Sequence, residues 1–332
     1  MPAAGAGSEV MRMFRRIALG AVGLLLIAVA GAWFWFAVWL PRDIPVPGVT
    51  VAVTPERVAR GRYLANQVMS CTYCHSARDW TYFSGAIVEG QLGSGGQVFD
   101  ETVGFPGRLI AANLTPAGLG DWSDGEILRA VTGGLSRDGH ALFPVMPYDS
   151  YKQLSPEDAE AVVAYLRSLP PVPEPPTEER VLSFPLNFIA NAIPAPPAPR
   201  DIDPADRFAY GEYLMSLSGC AFCHTPVDER QSAIPGMRLG GGRPWPVNGV
   251  DVRSSNISAD RETGIGNWSL AQFIERFRRY QGPAGRMLAS EVGYNTQMPW
   301  LLYADLTDAD LEAMYTYIMQ SPPVPNAVRV VD

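Results

Sequence analysis

From Ile17 to Leu40 the chain runs for 24 residues without a charged side chain, more than the roughly 20 apolar residues that cross a bilayer core as a helix. The pattern predicts one transmembrane helix over 17–40. Trp33, Phe34, Trp35, Phe36 and Trp39 crowd its far end, where amphipathic rings favour the headgroup region. Arg12, Arg15 and Arg16 precede it and Arg42 follows, so the positive-inside bias leaves residues 1–16 in the cytoplasm and carries the remainder across the membrane. The competing reading is a cleaved signal peptide, with Ile17–Ala28 as its apolar region and Ala28-Val29-Ala30 as the cleavage site. Cleavage there would leave an aromatic, apolar N-terminus on a soluble protein. Both readings export the chain.

Beyond this segment, short periodic apolar runs alternate with Gly- and Pro-rich stretches, and the whole pattern occurs twice. Gly61-Arg62-Tyr63-Leu64 answers to Gly211-Glu212-Tyr213-Leu214, and Cys71-Thr72-Tyr73-Cys74-His75 to Cys220-Ala221-Phe222-Cys223-His224. Asn113-Leu114-Thr115 answers to Asn256-Ile257-Ser258, and Gly118 to Ser123 answers to Gly264 to Ser269. Met146-Pro147-Tyr148 pairs with Met298-Pro299-Trp300, and Pro170 to Pro173 with Pro322 to Pro325. The common order marks a duplicated domain: 41–173 is the first copy, 174–203 a Pro-rich linker and 204–332 the second copy.

Each copy is expected to hold three main helices joined by long loops. The first runs from about Pro55 or Pro204 into the cysteine motif. The second opens at Ser123 or Ser269 as N-cap ahead of a periodic run such as Ile127, Leu128 and Val131. The third opens at Ser155 or Thr307, with Asp158 or Asp310 three positions on in the manner of a capping box. Pro170 and Pro322 end these helices. In the linker, Phe184, Leu186, Phe188 and Ile189 are read as packing between the domains, with a membrane-dipping role as the alternative.

Composition adds bounds. A length of 332 residues with 47% hydrophobic and 18% charged residues fits two domains plus a membrane segment. The 30 prolines and 32 glycines predict long irregular connections and a chain in which helix does not dominate. The net charge is −8, and beyond residue 40 the chain carries 23 basic against 33 acidic residues. That balance excludes a general nucleic-acid partner, which would need a local excess of Lys and Arg. Arg276, Arg278 and Arg279 read as a solvated helix face.

The chemistry lies in C-x-x-C-H, the attachment signature for c-type haem, present in both copies. On a helical turn the two thiols and the imidazole share one face, so Cys71, Cys74 and Cys220, Cys223 are placed to bind two haem groups covalently, with His75 and His224 as proximal iron ligands. A thioredoxin-type pair would sit in a βαβ context, a zinc site would bring its cysteine pairs into one domain, and disulfides are the usual fate of exported cysteines. Against all three, the four cysteines fall inside two complete motifs at matching positions. Met146 and Met298, 71 and 74 residues after their histidines, are the candidate second axial ligands; the following proline holds each in an extended loop. Met69, Met215, Met237 and Met287 have no counterpart and default to packing. His140, opposite Val292 in the second copy, reads as a loop histidine. Trp122 and Trp268 are candidate haem contacts, and the Gly-rich stretches at 93–96 and 240–242 are read as ordinary loops.

These residues together resemble a known family. G-x-Y-L before C-x-x-C-H, Asn113-Leu114-Thr115-Pro116, the G-x-G-x-W-S turn, Met146-Pro147-Tyr148 and the linker's Phe184-Pro185-Leu186-Asn187 resemble the membrane-bound cytochrome c subunit of bacterial alcohol, gluconate and related dehydrogenases. The resemblance implies a mainly α fold of tandem class I cytochrome c domains after one transmembrane helix. It also implies a role in the bacterial inner membrane with the haem domains in the periplasm. There the subunit takes electrons from a periplasmic dehydrogenase catalytic subunit and passes them to quinone, a downstream cytochrome or an oxidase, with no catalytic residues of its own. The best-known members carry three haems, whereas this chain has motifs for two. Two other functions are weighed beside it: a tethered shuttle between a quinol-oxidising complex and a terminal oxidase, and a dihaem peroxidase or thiosulfate-oxidising enzyme. The last would need an open or exchangeable iron position, and both copies offer a methionine.

Overall fold

The computed structural model describes residues 6–40, 44–103, 105–173, 180–229, 231–247 and 249–331. Arg42, which flanks the predicted membrane helix, and linker residues 174–179 lie outside the described residues. Helix accounts for 44% of the chain, more than the Gly and Pro content suggests. The prolines do not interrupt the helices, because several occupy first-turn positions where the missing N–H costs nothing, as at Pro55 and Pro156.

Helix α1 (Ala6–Phe34) continues as a wider π turn, Trp35–Trp39. It reaches back beyond Ile17 to at least Ala6, since the arginines ahead of the apolar run are themselves good helix formers. Within Glu9–Ala37 an 18-residue stretch has a mean hydropathy of 2.3 and is not buried against the rest of the chain, so this helix is long and apolar enough to cross a membrane. The chain then lies on the first half: Ile44 is buried with Leu135 and Ala141, and the Val51 N–H donates to Asp124 at 2.7 Å.

The first half is built from α2 (Pro55–Tyr63), extended by a π turn Leu64–Val68, and α3 (Cys71–Cys74). A two-residue hairpin follows, β1 (Arg78–Asp79) with β2 (Ala86–Ile87), then strands β3 (Val98–Phe99) and β4 (Gly107–Ile110). Helices α4 (Asp124–Gly133) and α5 (Pro156–Ser168) complete it. Strand β5 (Arg180–Leu182) comes from the linker. The second half has α6 (Arg207–Leu217), α7 (Cys220–His224), α8 (Leu270–Arg278) and α9 (Asp308–Gln320). The first helix does not run unbroken into either cysteine motif. Ser70 at φ 54° and Gly219 at φ 66° are left-handed, which turns the chain sharply before α3 and α7. Ser123 and Ser269 cap α4 and α8 through reciprocal bonds with Glu126 and Gln272, and Ser155 and Thr307 cap α5 and α9.

The linker lies mainly on the first half and reaches the second at its end, where Arg200 pairs with Glu212 of α6 at 3.4 Å. Its strand pairs with the edge of β4, giving sheet order β3-β4-β5, and its last residues bond to Lys152 and Gln153. Leu186 and Phe188 are half-buried, but Phe184 is 81% exposed and Ile189 is also exposed, so these two do not pack between domains. Two of the three arginines also depart from expectation, while Arg279 is exposed as read. Arg278 donates to the carbonyls of Ala304 and Leu306 and to Asp308, and Arg276 stacks over Trp300 at 4.6 Å.

In each half the first and last helices cross at a glycine. A Cβ on Gly61 would lie 1.8 Å from the Ala161 carbonyl oxygen, and one on Gly211 would lie 2.0 Å from that of Ala313. Both contacts are with rigid helical backbone, so α2 against α5 and α6 against α9 pack at a separation that only glycine allows. The buried residues of both halves form one continuous core around these crossings. Gly61→Ala and Gly211→Ala are each expected to destabilise the fold by about 1–3 kcal/mol or more through overpacking. Gly48→Ala, with nothing within 4 Å of the added carbon, should stay within about 0.5 kcal/mol of wild type. Urea titration of the three variants side by side checks the contrast.

Candidate functional site

The two cysteine motifs form short helices whose histidines are fixed in the same way. His75 Nδ1 lies 2.7 Å from the carbonyl oxygen of Ala112, and His224 Nδ1 lies 2.8 Å from that of Ser255. A backbone carbonyl can only accept, so each Nδ1 carries the proton and each Nε2 keeps a free lone pair. This is how a metal-binding imidazole is usually oriented. Burial lowers the pKa of both rings, which keeps them neutral and able to donate to a metal.

The glycine loops, read as ordinary loops, turn out to position these carbonyls. The Gly95 N–H donates to the His75 carbonyl at 3.0 Å, and the Gly241 N–H to that of His224 at 2.7 Å. Both glycines have positive φ, and a Cβ would lie 2.6 Å from the Ala111 oxygen at Gly95 and 2.4 Å from the Asn256 nitrogen at Gly241. The loop therefore approaches the segment bearing Ala112 or Ser255 as closely as backbone permits, and holds the histidine turn from its other end. Asn113 and Asn256 extend the support. Each accepts a backbone N–H two residues on and donates to the carbonyl of Val172 or Val324.

The four thiols are free and half-buried. Desolvation pushes those of Cys71, Cys220 and Cys223 up to about 12, and raises that of Cys74. They are therefore neutral thiols at physiological pH, unlike the thiolates of zinc sites or redox pairs. The two motifs also approach each other: a negative charge on Cys74 would disfavour ionisation of Cys223, a smaller effect than burial. The structure packs Cys71, Trp122 and Met146 of the first half, and Cys220, Trp268 and Met298 of the second, on the same core. His140 stands apart as an exposed loop residue paired with Asp138.

Repetition in sequence does not reveal the arginines beside the motifs. Arg78 stacks over Tyr73 at 3.8 Å and Trp80 at 4.1 Å, while Arg243 stacks over Phe222 at 4.2 Å and Trp245 at 5.0 Å. Tyr73 and Phe222 occupy the same position inside C-x-x-C-H. The two arginines lie at different distances along the chain from their motifs, so only the aromatic within each motif signalled the pair. Around the same motifs, Ser70 Oγ, the Tyr73 hydroxyl, Nε and Nη1 of Arg78 and Ser218 Oγ are buried without a hydrogen-bond partner.

The methionine loops are held differently. Met146 is secured within its own half, where Tyr148 donates to the Leu142 carbonyl and its ring fills the space beside Gly134. The Met298 loop is held by the other half, through residues 80–85 between β1 and β2. Ser84 Oγ donates to the Met298 carbonyl at 2.6 Å and accepts the Trp300 N–H at 3.0 Å. Asn295 accepts the Ser84 N–H and donates to the carbonyls of Trp80 and Tyr82. Phe83 is buried against Tyr280 and Tyr294.

Comparison with known proteins places the chain in a class. No protein-family model matches it. It is 28% identical to the fructose dehydrogenase cytochrome subunit of Gluconobacter japonicus, over 94% of this chain and 60% of that protein. It is 30% identical to the gluconate 2-dehydrogenase cytochrome c subunit of Pantoea cypripedii, over 79% of this chain and 58% of that protein. The chain thus spans about three fifths of the length of these two relatives. It is also 25% identical to a diheme cytochrome c-type protein of Cereibacter sphaeroides, over 91% of this chain and 97% of that protein. Most of the relatives found are named as cytochromes, several of them as cytochrome subunits of dehydrogenases.

Ser84→Ala leaves the left-handed backbone of that position (φ 71°) as it is and removes only the hydroxyl. It takes a second partner from the Met298 carbonyl and the Trp300 N–H, which keep their own bond at 2.8 Å, and is expected to cost about 0.5–1.5 kcal/mol, measured as a lowered urea midpoint with an unchanged slope.

Proposed function

We propose that the chain is a membrane-anchored dihaem c-type cytochrome that carries electrons in the periplasm as a subunit of a membrane-associated dehydrogenase. The observation that carries this reading is the duplicated C-x-x-C-H turn in which each histidine is pinned through Nδ1 with Nε2 left to bind metal. The donor set fits haem c: two neutral thiols for thioether bonds, a neutral imidazole, and a methionine on the same core. The unpartnered buried polar atoms beside the motifs fit a prosthetic group with polar substituents. In this reading Cys71 and Cys74 hold one haem and Cys220 and Cys223 the other, with His75, Met146, His224 and Met298 as axial ligands and Trp122 and Trp268 against the haem edges.

Bound haem c supplies one-electron redox chemistry at iron. The chain's own residues set its terms. Met146 and Met298, as iron ligands, would raise the potential and leave the iron without an open position for substrate. The nearness of Cys74 to Cys223 supports adjacent haems and internal electron passage. The relatives named as dehydrogenase subunits support a catalytic subunit as electron donor; quinone, another cytochrome or an oxidase would be the acceptor. Arg12, Arg15 and Arg16, in the first turns of α1 ahead of its apolar run, support the periplasmic orientation. The diheme relative, covered over 97% of its length, favours two haems. Since its name gives no dehydrogenase, it also supports a second reading as a tethered shuttle without a dedicated catalytic partner.

Extraction of native membranes in mild detergent, followed by haem staining and haem quantitation, is expected to give two covalent haems per chain and a co-migrating catalytic subunit. Migration of the haem band alone would favour the shuttle. Met146→Ala and Met298→Ala should each remove one methionine–iron absorption band and lower one midpoint potential; an unchanged spectrum removes that residue from the ligand set.

A further inference from the structure

We propose that residues 181–193 lie in the headgroup boundary of the bilayer crossed by α1, as a second contact between this chain and the membrane. The inference rests on α1 being the membrane span and is independent of haem attachment. The segment from Val181 to Ile193 contains no charged residue. Its apolar side chains point outward: Val181, Phe184, Ile189 and Ile193 are all exposed, Phe184 the most. Phe184 and Phe188 pack edge to face with ring centroids 6.1 Å apart, so the exposed surface is continuous rather than scattered. On its other side the segment is fixed to the protein, by β5 pairing with β4 and by the burial of Ala190.

The membrane is identified as the occupant by what adjoins this surface. Asn191 Nδ2 donates to the Phe36 carbonyl at 2.9 Å, which ties the segment to the last turns of α1. Phe36 lies between Trp35 and Trp39, which stack on each other at 5.8 Å and are exposed. Tryptophans at the end of a membrane span mark the headgroup level, so Asn191 and its neighbours stand at that depth. An uncharged, outward-facing aromatic and aliphatic surface at that depth meets lipid, as interfacial segments do. With α1 alone the soluble part could swivel about one point. A second contact through the linker fixes the tilt of the first half over the bilayer.

The test uses the full chain in vesicles of phosphatidylethanolamine and phosphatidylglycerol, with a nitroxide on Phe184→Cys or Ile189→Cys and Ser232→Cys as an exposed control. Collision rates with oxygen, which partitions into lipid, and with a water-soluble nickel chelate report depth. The expected result is an oxygen-to-chelate ratio above unity at 184 and 189 and below unity at 232. Chelate access at 184 and 189 equal to that at 232, in chain that floats with the vesicles, overturns the proposal while leaving α1 as a span. Chain that fails to float overturns it together with the span. Nitroxide uptake by the wild-type cysteines would count against haem attachment and not against this contact. The double variant Phe184→Glu, Ile189→Glu should keep the wild-type melting curve in detergent yet lose lipid contact, read as gain of chelate access at a nitroxide on Phe188→Cys; no gain there also overturns it.

Discussion

The close crossing of first and last helices in each half is the constraint on which the rest depends. Because Gly61 and Gly211 present no side chain, α2 and α6 lie directly on the backbone of α5 and α9. The end of each first helix is thereby fixed in space. From there a single left-handed residue, Ser70 or Gly219, turns the chain into the cysteine motif. Tyr151 and Tyr303 secure this turn from outside by donating to the carbonyls of Met69 and Ser218. The motif is thus placed by packing, and its histidine is then oriented by one carbonyl. A side chain at either crossing would shift the turn and, with it, the imidazole.

The two halves also hold each other. Tyr63 of the first half donates to Asp310 and accepts the Thr307 N–H at 3.1 Å, at the start of α9. Elsewhere along the interface, Gln153 of the first half donates to the Ser216 hydroxyl of α6 at 2.7 Å. The first helix of the first half therefore helps cap the last helix of the second, satisfying a backbone donor that a helix leaves unpaired at its N-terminus. The docked halves bring the motifs near enough for Cys74 to influence Cys223. Duplication thus did more than double a site: it supplied both partners of an interface.

Much of this was legible in the sequence because the repeated residues are those with local jobs. Ser123 and Ser269 cap helices, Asn113 and Asn256 bond two residues ahead, and the C-x-x-C-H spacing follows from a helical turn. Each acts within a few positions of itself, so its role can be read from its neighbours. What stayed hidden acts at long range. The Ala112 and Ser255 carbonyls that orient the histidines carry no side-chain signature, since any residue supplies a carbonyl. The glycines at 95 and 241 looked like loop residues until the segments they touch, at Ala111 and Ala112 and at Ser255 and Asn256, were known. Strand β5 was invisible because three residues at a sheet edge leave little periodicity. Arg278 looked solvated because its acceptors, the carbonyls of Ala304 and Leu306, lie a full loop away.

The halves differ most where the methionines sit, and the difference follows from one substitution in the repeat. In the first half the residue two after the methionine is Tyr148, whose ring packs against Gly134 and whose hydroxyl bonds within the same loop. In the second half it is Trp300, which instead stacks on Tyr280 at 4.9 Å and meets Phe277 edge to face. An indole has no hydroxyl to close the loop on itself, and although the Trp300 N–H donates to the Met298 carbonyl at 2.8 Å, both groups take a further partner from Ser84 across the interface. The second methionine loop therefore draws part of its support from the docked interface, while the first is held within its own half. Any metal site built on Met298 inherits that dependence. Whatever loosens the interface acts on the second site before the first, so the two sites are unequal in a chain whose sequence makes them look alike.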